Sequence, residues 1–363
     1  MRESGSGKQI VAILVALVVL CSSTLACGPS STSTPAVTVH TKIVKVTETP
    51  KPTNTLTPTP TPTLTPTPTI TPTYPGWTTY TTADGLADDH VYSVVAAPNG
   101  TLWCLSSEGV SRFDGEAWTA YALDEHIYLL PEPYTYAASN DGLWIANGFV
   151  GKEGVLRFDG ETWTSYTTDD GLVDNNAHAV TIAPDGTAWI STSSGISRFD
   201  GETWTSFTTE DGLVSNAVQF VIAAPSGTIF AFTDKGVSYF DGKIWATSIE
   251  WETSYWGLVV IDYDDALWLA SGGHVYRLDR KGVATYTMQD GMPGTFITAM
   301  AIGIYGTIWV GTNAGAAHFD GESWIAHTTA DGLSDNYVTS IAVTPDGAVW
   351  FGTWSYGLSR YKP

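Results

Sequence analysis

Basic residues are scarce in this 363-residue chain: 16 Lys and Arg stand against 37 Asp and Glu, a net charge of -21. So acidic a surface repels polyanions, which sets nucleic acid aside as a partner. The imbalance sharpens along the chain. The first 73 residues hold five of the basic and two of the acidic residues, leaving eleven against thirty-five, a net of -24, on the remainder. Cysteine is nearly absent as well, with Cys21, Cys27 and Cys104 alone. Two of these fall in the first thirty residues, so no intramolecular disulfide is expected. Cys104, beside Trp103 in an apolar stretch, reads as a small buried hydrophobe, in a repeat slot that Ile190 and Val310 fill elsewhere. Beyond residue 20 no long apolar run occurs, and charged residues amount to only 15% while aromatics reach 12% with 15 Trp. That balance argues against coiled coil and disorder and suits a β-rich fold with large buried faces.

What is present at the start is an address. Arg2 and Lys8 precede the apolar run Ile10–Leu20, followed by small residues and Cys27, the layout of a secretory signal over residues 1–26 and too short for an ordinary membrane span. The stretch Thr24-Leu25-Ala26-Cys27 resembles a bacterial lipobox, which implies lipidation of Cys27 and a cell-surface or periplasmic lipoprotein. Thr24 stands where that pattern prefers Leu, Val or Ile, and Thr24-x-Ala26 also suits plain cleavage, so free secretion is the alternative. Residues 27–76 are rich in Ser, Thr and Pro, reading TPTPTPTLTPTPTITPTYP toward their end. Frequent Pro removes amide donors and favours extended conformers, so this segment is expected to be a disordered tether. At about 3.1 Å per residue it could hold a domain on the order of 80 Å off a membrane.

Residues 77–363 are seven copies of one unit. One aromatic series runs Trp77, Trp118, Trp163, Trp204, Trp245, Val283 in the same slot, and Trp324. A second runs Trp103, Trp144, Trp189, Phe230, Trp268, Trp309 and Trp350, in steps close to 41 residues. Between them recur turns such as Pro184-Asp185-Gly186 and a second Asp-Gly at Asp200-Gly201, both hairpin signals because tight turns that match strand twist need positive φ. Each unit therefore holds four short strands, called a (AVTIAP), b (GTAWIST), c (GISRFD) and d (TWTSYTT), with Asp-Gly-Leu joining d to the next a. A period near 41 with four strands per unit predicts an all-β, seven-bladed β-propeller rather than an open solenoid. The repeat region begins with a lone d strand, Trp77 to Thr82, and stops after strand c of the last unit. The first strand is thus expected to complete the last blade and close the ring.

The wording W-T-x-Y-T-T-x-D-G-L-x-x-N, then P-D-G-T-x-W-x-G-T and G-x-S-R-F-D-G, resembles the two-component regulator propeller repeat. That resemblance implies a sensor-type propeller of the kind found outside the membrane in hybrid histidine kinases, some of which recognise carbohydrate fragments. Here neither a membrane helix nor a kinase module follows the seventh unit, so a stand-alone secreted lipoprotein is expected, with signalling left to a separate protein.

Repetition separates scaffold from site. The two Trp series are expected to wedge between blades, and the recurring Arg112, Arg157, Arg198, Arg277 and Arg360 to lie on a ring or pair with a loop carboxylate. Asp84, Asp170, Asp211 and Asp331, with Asn175, Asn216 and Asn336, read as turn chemistry. A calcium ion in these loops is the lesser alternative. No cofactor is otherwise expected.

Departures from the unit carry more information. Twelve of the 15 Trp belong to the two series, leaving Trp251, Trp256 and Trp354, all in d–a or b–c connections, which open on the same face of a propeller. Blade two loses its Asp-Gly-Leu for a stretch with Glu125, His126 and Tyr128 and gains residues around Phe149. Blade five carries Tyr255 between its two extra Trp, and blade seven carries Tyr356. These nine residues form the candidate ligand-binding rim, since a pyranose stacks its apolar side on a ring while its hydroxyls need polar partners.

Three functions follow in order: a non-catalytic, monomeric, extracytoplasmic recognition protein for a glycan or similar ligand; an adaptor docking on a protein; and a propeller lyase or hydrolase. The last would use His90, His126 or His178 near Asp88, Asp89, Asp124 and Glu125, a constellation without metal spacing.

Overall fold

The computed structural model describes residues 76–123, 136–146, 154–250, 257–264, 266–279 and 282–362. They form seven four-stranded antiparallel sheets, each in the order a-b-c-d. Blade three shows the unit: Ala177–Ile182, Ala188–Thr192, Gly195–Phe199 and Trp204–Phe207. Its b strand, Ala-Trp-Ile-Ser-Thr, is buried throughout, because it lies between two other strands and under the next blade.

The ring is closed as expected. Trp77–Tyr80 pairs antiparallel with Leu358–Tyr361, Trp77 opposite Tyr361 and Tyr80 opposite Leu358, so the first residues of the ring supply strand d of blade seven. The closing strand ends at Tyr80 rather than Thr82. Thr81 caps a single 3-10 turn, Thr82–Asp84, and Asp84 accepts both the Thr81 N–H and hydroxyl, which turns the chain toward blade one. Asp211 and Asp331 repeat these bonds with Thr208 and Thr328. Asn175, Asn216 and Asn336 accept the N–H of Thr168, Thr209 and Thr329. The recurring Asp and Asn are therefore turn residues, as read. The glycine that follows is required: a Cβ on Gly332, at φ +120°, would stand 2.8 Å from Trp77 Cγ.

Between blades the aromatic series meet in four-ring boxes. At the junction of blades seven and one, Trp350 and Tyr80 stack at 5.5 Å against Phe113 and Trp118, themselves 4.9 Å apart. Equivalent boxes join Trp144, Tyr166, Phe199 and Trp204, and Trp268, Tyr286, Phe319 and Trp324. Each strand-c Arg lies opposite the strand-b Trp of its own blade and over its ring, with Arg112, Arg157, Arg198, Arg277 and Arg360 at 5.3 to 5.8 Å. Arg157, Arg198 and Arg360 also reach Asp141, Asp185 and Asp346 of the a–b turns. Blades four and five meet differently, since Val283 and Phe230 replace the two Trp. Aliphatic residues such as Val259, Leu269 and Leu278 fill that junction, with Phe220 stacked on Phe232 at 4.4 Å.

The a strands are innermost, and those of all seven blades surround a channel of about 330 Å³. Neighbouring a strands do not form one ladder, so side chains satisfy part of their edges. Thr298 and Thr339 donate to the carbonyls of Val338 and Val91 in the next blade, and Ser340 accepts the Val94 N–H.

Candidate functional site at the channel mouth

One end of the channel is framed by the d–a and b–c loops. In blades three, four, six and seven, backbone bonds pair two side-chain positions there, the residue before strand a and the residue after strand b. Ser193 N donates to the Asn176 carbonyl, Asp234 to Ala217, Asn313 to Phe296 and Trp354 to Tyr337. These two slots lie outside the sheet and the boxes, so the fold leaves their identity free, and they differ from blade to blade.

Their contents divide the mouth. Blades six, seven and one present Phe296, Tyr337 with Trp354, and His90. His90 packs on Trp354 at 4.2 Å and on Tyr92 at 4.8 Å, and Tyr337 on Trp354 at 5.4 Å. Trp354 is 48% and Phe296 62% exposed, so this arc offers open ring surface on a supported base. The His90 Nε2 atom is buried without a partner. Blades three and four present small polar groups instead. Asn176 donates to the Ser193 hydroxyl at 2.7 Å, and Ser193 lies 3.0 Å from His178 Nε2. The His178 ring also bonds the Val218 backbone, and burial lowers its pKa despite the nearby Asp174. That bond joins blade three to blade four, as the Thr298 and Thr339 hydroxyls join later blades. In blade four the Asp234 Oδ1 atom is buried without a partner.

Two of the rim residues expected from sequence are placed by the structure. Trp354 sits in the aromatic arc, and Tyr356, 62% exposed, follows it in the same b–c loop. Trp251, Tyr255, Trp256, Glu125, His126, Tyr128 and Phe149 lie outside the described residues, as does Cys27. Tyr92, Tyr337, Phe296 and Asp234 were not anticipated. Comparing the residue before strand a and the residue after strand b across all blades would have found the last three. His90 and His178 belong to blades one and three, and each has its own surroundings. Among the described residues no group of three or more His, Cys, Asp or Glu is arranged to hold a metal. Cys104 is buried and free, its thiol pKa pushed well up by burial.

Seven four-stranded blades around a channel, sealed by the first strand, define a seven-bladed β-propeller. Residues 332–355 match the model of the two component regulator propeller family, so the chain carries that repeat on its ring. No curated protein matches the sequence. Among solved structures, the chain is similar to the extracellular domain of a hybrid two component system from B. thetaiotaomicron, with a TM-score of 0.57 and 16% identity. The match covers 80% of this chain and 42% of that domain, so this chain spans about two fifths of its length. It is also similar to virginiamycin B lyase from Staphylococcus aureus, with a TM-score of 0.54 and 14% identity over 76% of this chain and 95% of the lyase. PorZ, a surface component of the type-IX secretion system of Porphyromonas gingivalis, gives 0.54 and 17% over 77% of this chain and 47% of its own. Identities this low establish the fold alone. Among the described residues no helix is long and apolar enough to cross a membrane.

Proposed function

We propose that the protein is an extracytoplasmic recognition domain that binds a carbohydrate at the channel mouth, held at the cell surface by lipidated Cys27 and the Thr/Pro tether. The observation that carries this reading is the division of the mouth: rings on blades six, seven and one face hydrogen-bonding groups on blades three and four. A pyranose presents an apolar face and a hydroxyl edge, and such a mouth offers a surface to each. The likeness to an extracellular domain of a two component system supports an extracytoplasmic setting. The reading needs no cofactor and no catalytic step.

The test is the thermal midpoint of the whole chain scanned over a panel of oligosaccharides, with and without calcium. A ligand that binds only the folded state must raise it. A saturable rise with one sugar class that is lost in Trp354→Ala is expected, and no rise with any sugar would overturn the reading.

A second reading, docking of a protein, is favoured by the opposite face. There the a–b turns of blades five and six carry Tyr263 and Tyr305, the latter 90% exposed, where blades three and seven have Pro-Asp-Gly. Isolated exposed rings of this kind suit a protein contact.

A further inference from the structure

The closing strand fixes where the rest of the chain joins the ring. Strand d of each blade runs from the c–d turn toward the mouth, so Trp77–Tyr80 starts on the face opposite the mouth and ends at the Thr81 turn. The Thr/Pro segment therefore meets the ring on that opposite face, at Gly76, whose carbonyl accepts the Lys362 N–H at 2.8 Å.

A short series of contacts leads from this point to the exposed rings of the same face. Lys362 Nζ bonds Asp346 in the a–b turn of blade seven at 2.9 Å. The next residue, Gly347, faces blade six, where a Cβ on it would stand 3.1 Å from Ile304 Cδ1. Ile304 and Tyr305 belong to the a–b turn of blade six, and Tyr263 to that of blade five. Tyr305 is 90%, Tyr263 59% and Ile304 36% exposed. Blades three and seven fill the same turn with Pro-Asp-Gly, which is what a hairpin needs. The apolar groups on blades five and six are thus extra to the fold, and adjacent exposed groups of this kind mark a contact surface.

Residues 64–75, which lead into Gly76 and lie outside the described residues, read LTPTPTITPTYP. They carry no charge, so the acidic turns around the rings do not oppose their approach. Such a sequence favours the polyproline helix, with three residues per turn. That period sets Pro66, Pro72 and Pro75 along one face, the form in which aromatic surfaces take Pro-rich segments. Packed sheets stand about 10 Å apart, so about six residues at roughly 3.1 Å each bridge Gly76 and Tyr305. The other six reach the next blade.

We propose that residues 64–75 fold back onto the face opposite the mouth, with Pro72 and Pro75 on Ile304 and Tyr305 and Pro66 on Tyr263. Covalent attachment holds the segment at an effective concentration on the order of millimolar, so a small contact suffices. The ring is then braced on its own tether with the mouth turned outward, and these rings serve the chain itself rather than a separate protein. The proposal goes beyond carbohydrate recognition and does not depend on it.

The experiment is hydroxyl-radical footprinting of the whole chain, read residue by residue, beside a whole chain in which residues 64–75 are replaced by as many Gly and Ser. Tyr305 and Tyr263 are expected to be oxidised about fivefold more slowly in the natural chain, the protection given by a segment docked about four fifths of the time. Tyr356 at the mouth, 62% exposed, should react alike in both. Added salt should leave the protection in place, because the segment is neutral. The same contact can be read from the other side with the natural segment intact. Pro72 and Pro75 should be oxidised faster in the Ile304→Ser, Tyr305→Ser double variant, whose changes fall in an exposed turn and leave the thermal midpoint unchanged. Tyr305 and Tyr263 as reactive in the natural chain as in the Gly and Ser chain would overturn the proposal. If both react as fast as Tyr356, the face is open to a separate protein; if both are slow and speed up on dilution, a second copy covers it. Neither result touches sugar binding, so failure here is distinct from failure of the recognition reading.

Discussion

Substituting His318→Arg and His327→Tyr together restores to the junction of blades six and seven the Arg, Trp and Tyr that most other junctions carry, and should remove most of the acid sensitivity of the ring between pH 6.5 and 4. In the wild-type chain His318 stacks on Trp309 at 4.6 Å, His327 packs on Trp309 and on Trp77 of the closing strand, and His318 Nδ1 lies 2.9 Å from His327 Nε2. Burial, helped by His318, holds the pKa of His327 down to about 4, and burial lowers His318 too against the pull of Asp320. Because these folded pKa values lie below the unfolded value of 6.5, the unfolded chain takes up protons first as pH falls. The pair therefore contributes stability that is full above pH 6.5 and is lost as pH falls toward 4. At about 1.36 kcal/mol per unit the depression of His327 corresponds to about 3 kcal/mol, which the ring's remaining solvent contact reduces to about 1–2 kcal/mol. For a ring of this size that is roughly 2–8 °C in thermal midpoint. Carboxylates with lowered values, such as Asp200, held down to about 2 by the Thr203 and Glu202 N–H groups, begin to act below about pH 5 and do so equally in both proteins, so the difference between the two chains isolates the histidine pair. The assay is a set of thermal melts from pH 7.5 to 4.2 on both proteins. The double variant should keep only the smaller limb owed to buried His178 and the onset of the carboxylate limb that both proteins share below about pH 5. Equal falls in midpoint for the two chains across that range would refute the reasoning.

Trp350→Ala, which empties a box where Trp350 is 2% exposed, should cost about 3–5 kcal/mol by denaturant unfolding, whereas Trp354→Ala should change stability by under about 0.5 kcal/mol and affect only ligand binding. Deleting residues 1–81 removes the strand paired with Leu358–Tyr361 and bares an edge, so size-exclusion chromatography should show association rather than a stable monomer. Asp211→Ala, which strips both bonds to Thr208, should cost about 1 kcal/mol with no change in ligand binding. Cys104, buried and with its thiol pKa raised, should resist a thiol reagent in the native chain and react fully once denaturant unfolds the ring.

The legible part of this molecule was local and repeated. Blade number, strand order, the wedge role of Trp103 and its counterparts, the stacking of Arg112 and its counterparts, and the turn role of Asp84 all follow from patterns within about 41 residues that recur seven times. The length of the closing strand was misjudged by two residues. The alternation ran on through Thr81 and Thr82, while the capping bonds from Asp84 that end the strand at Tyr80 leave no mark in the pattern of apolar residues. Trp354 and Tyr356 stood out because they break the repeat. Tyr337, Phe296 and Asp234 did not, since each occupies a position where every blade varies.

Sequence by itself thus determined the propeller and its closure, because burial and hairpin geometry impose the same demands on every blade and repetition displays them. The mouth was decided by tertiary structure alone. His90 and Trp354 belong to opposite ends of the ring sequence and meet at 4.2 Å only because the ring closes on itself. Likewise, the unpartnered oxygen of Asp234 and the hydrogen-bonded pair of His318 and His327 arise from which side chains converge in space, a matter on which a spacing of about 41 residues is silent.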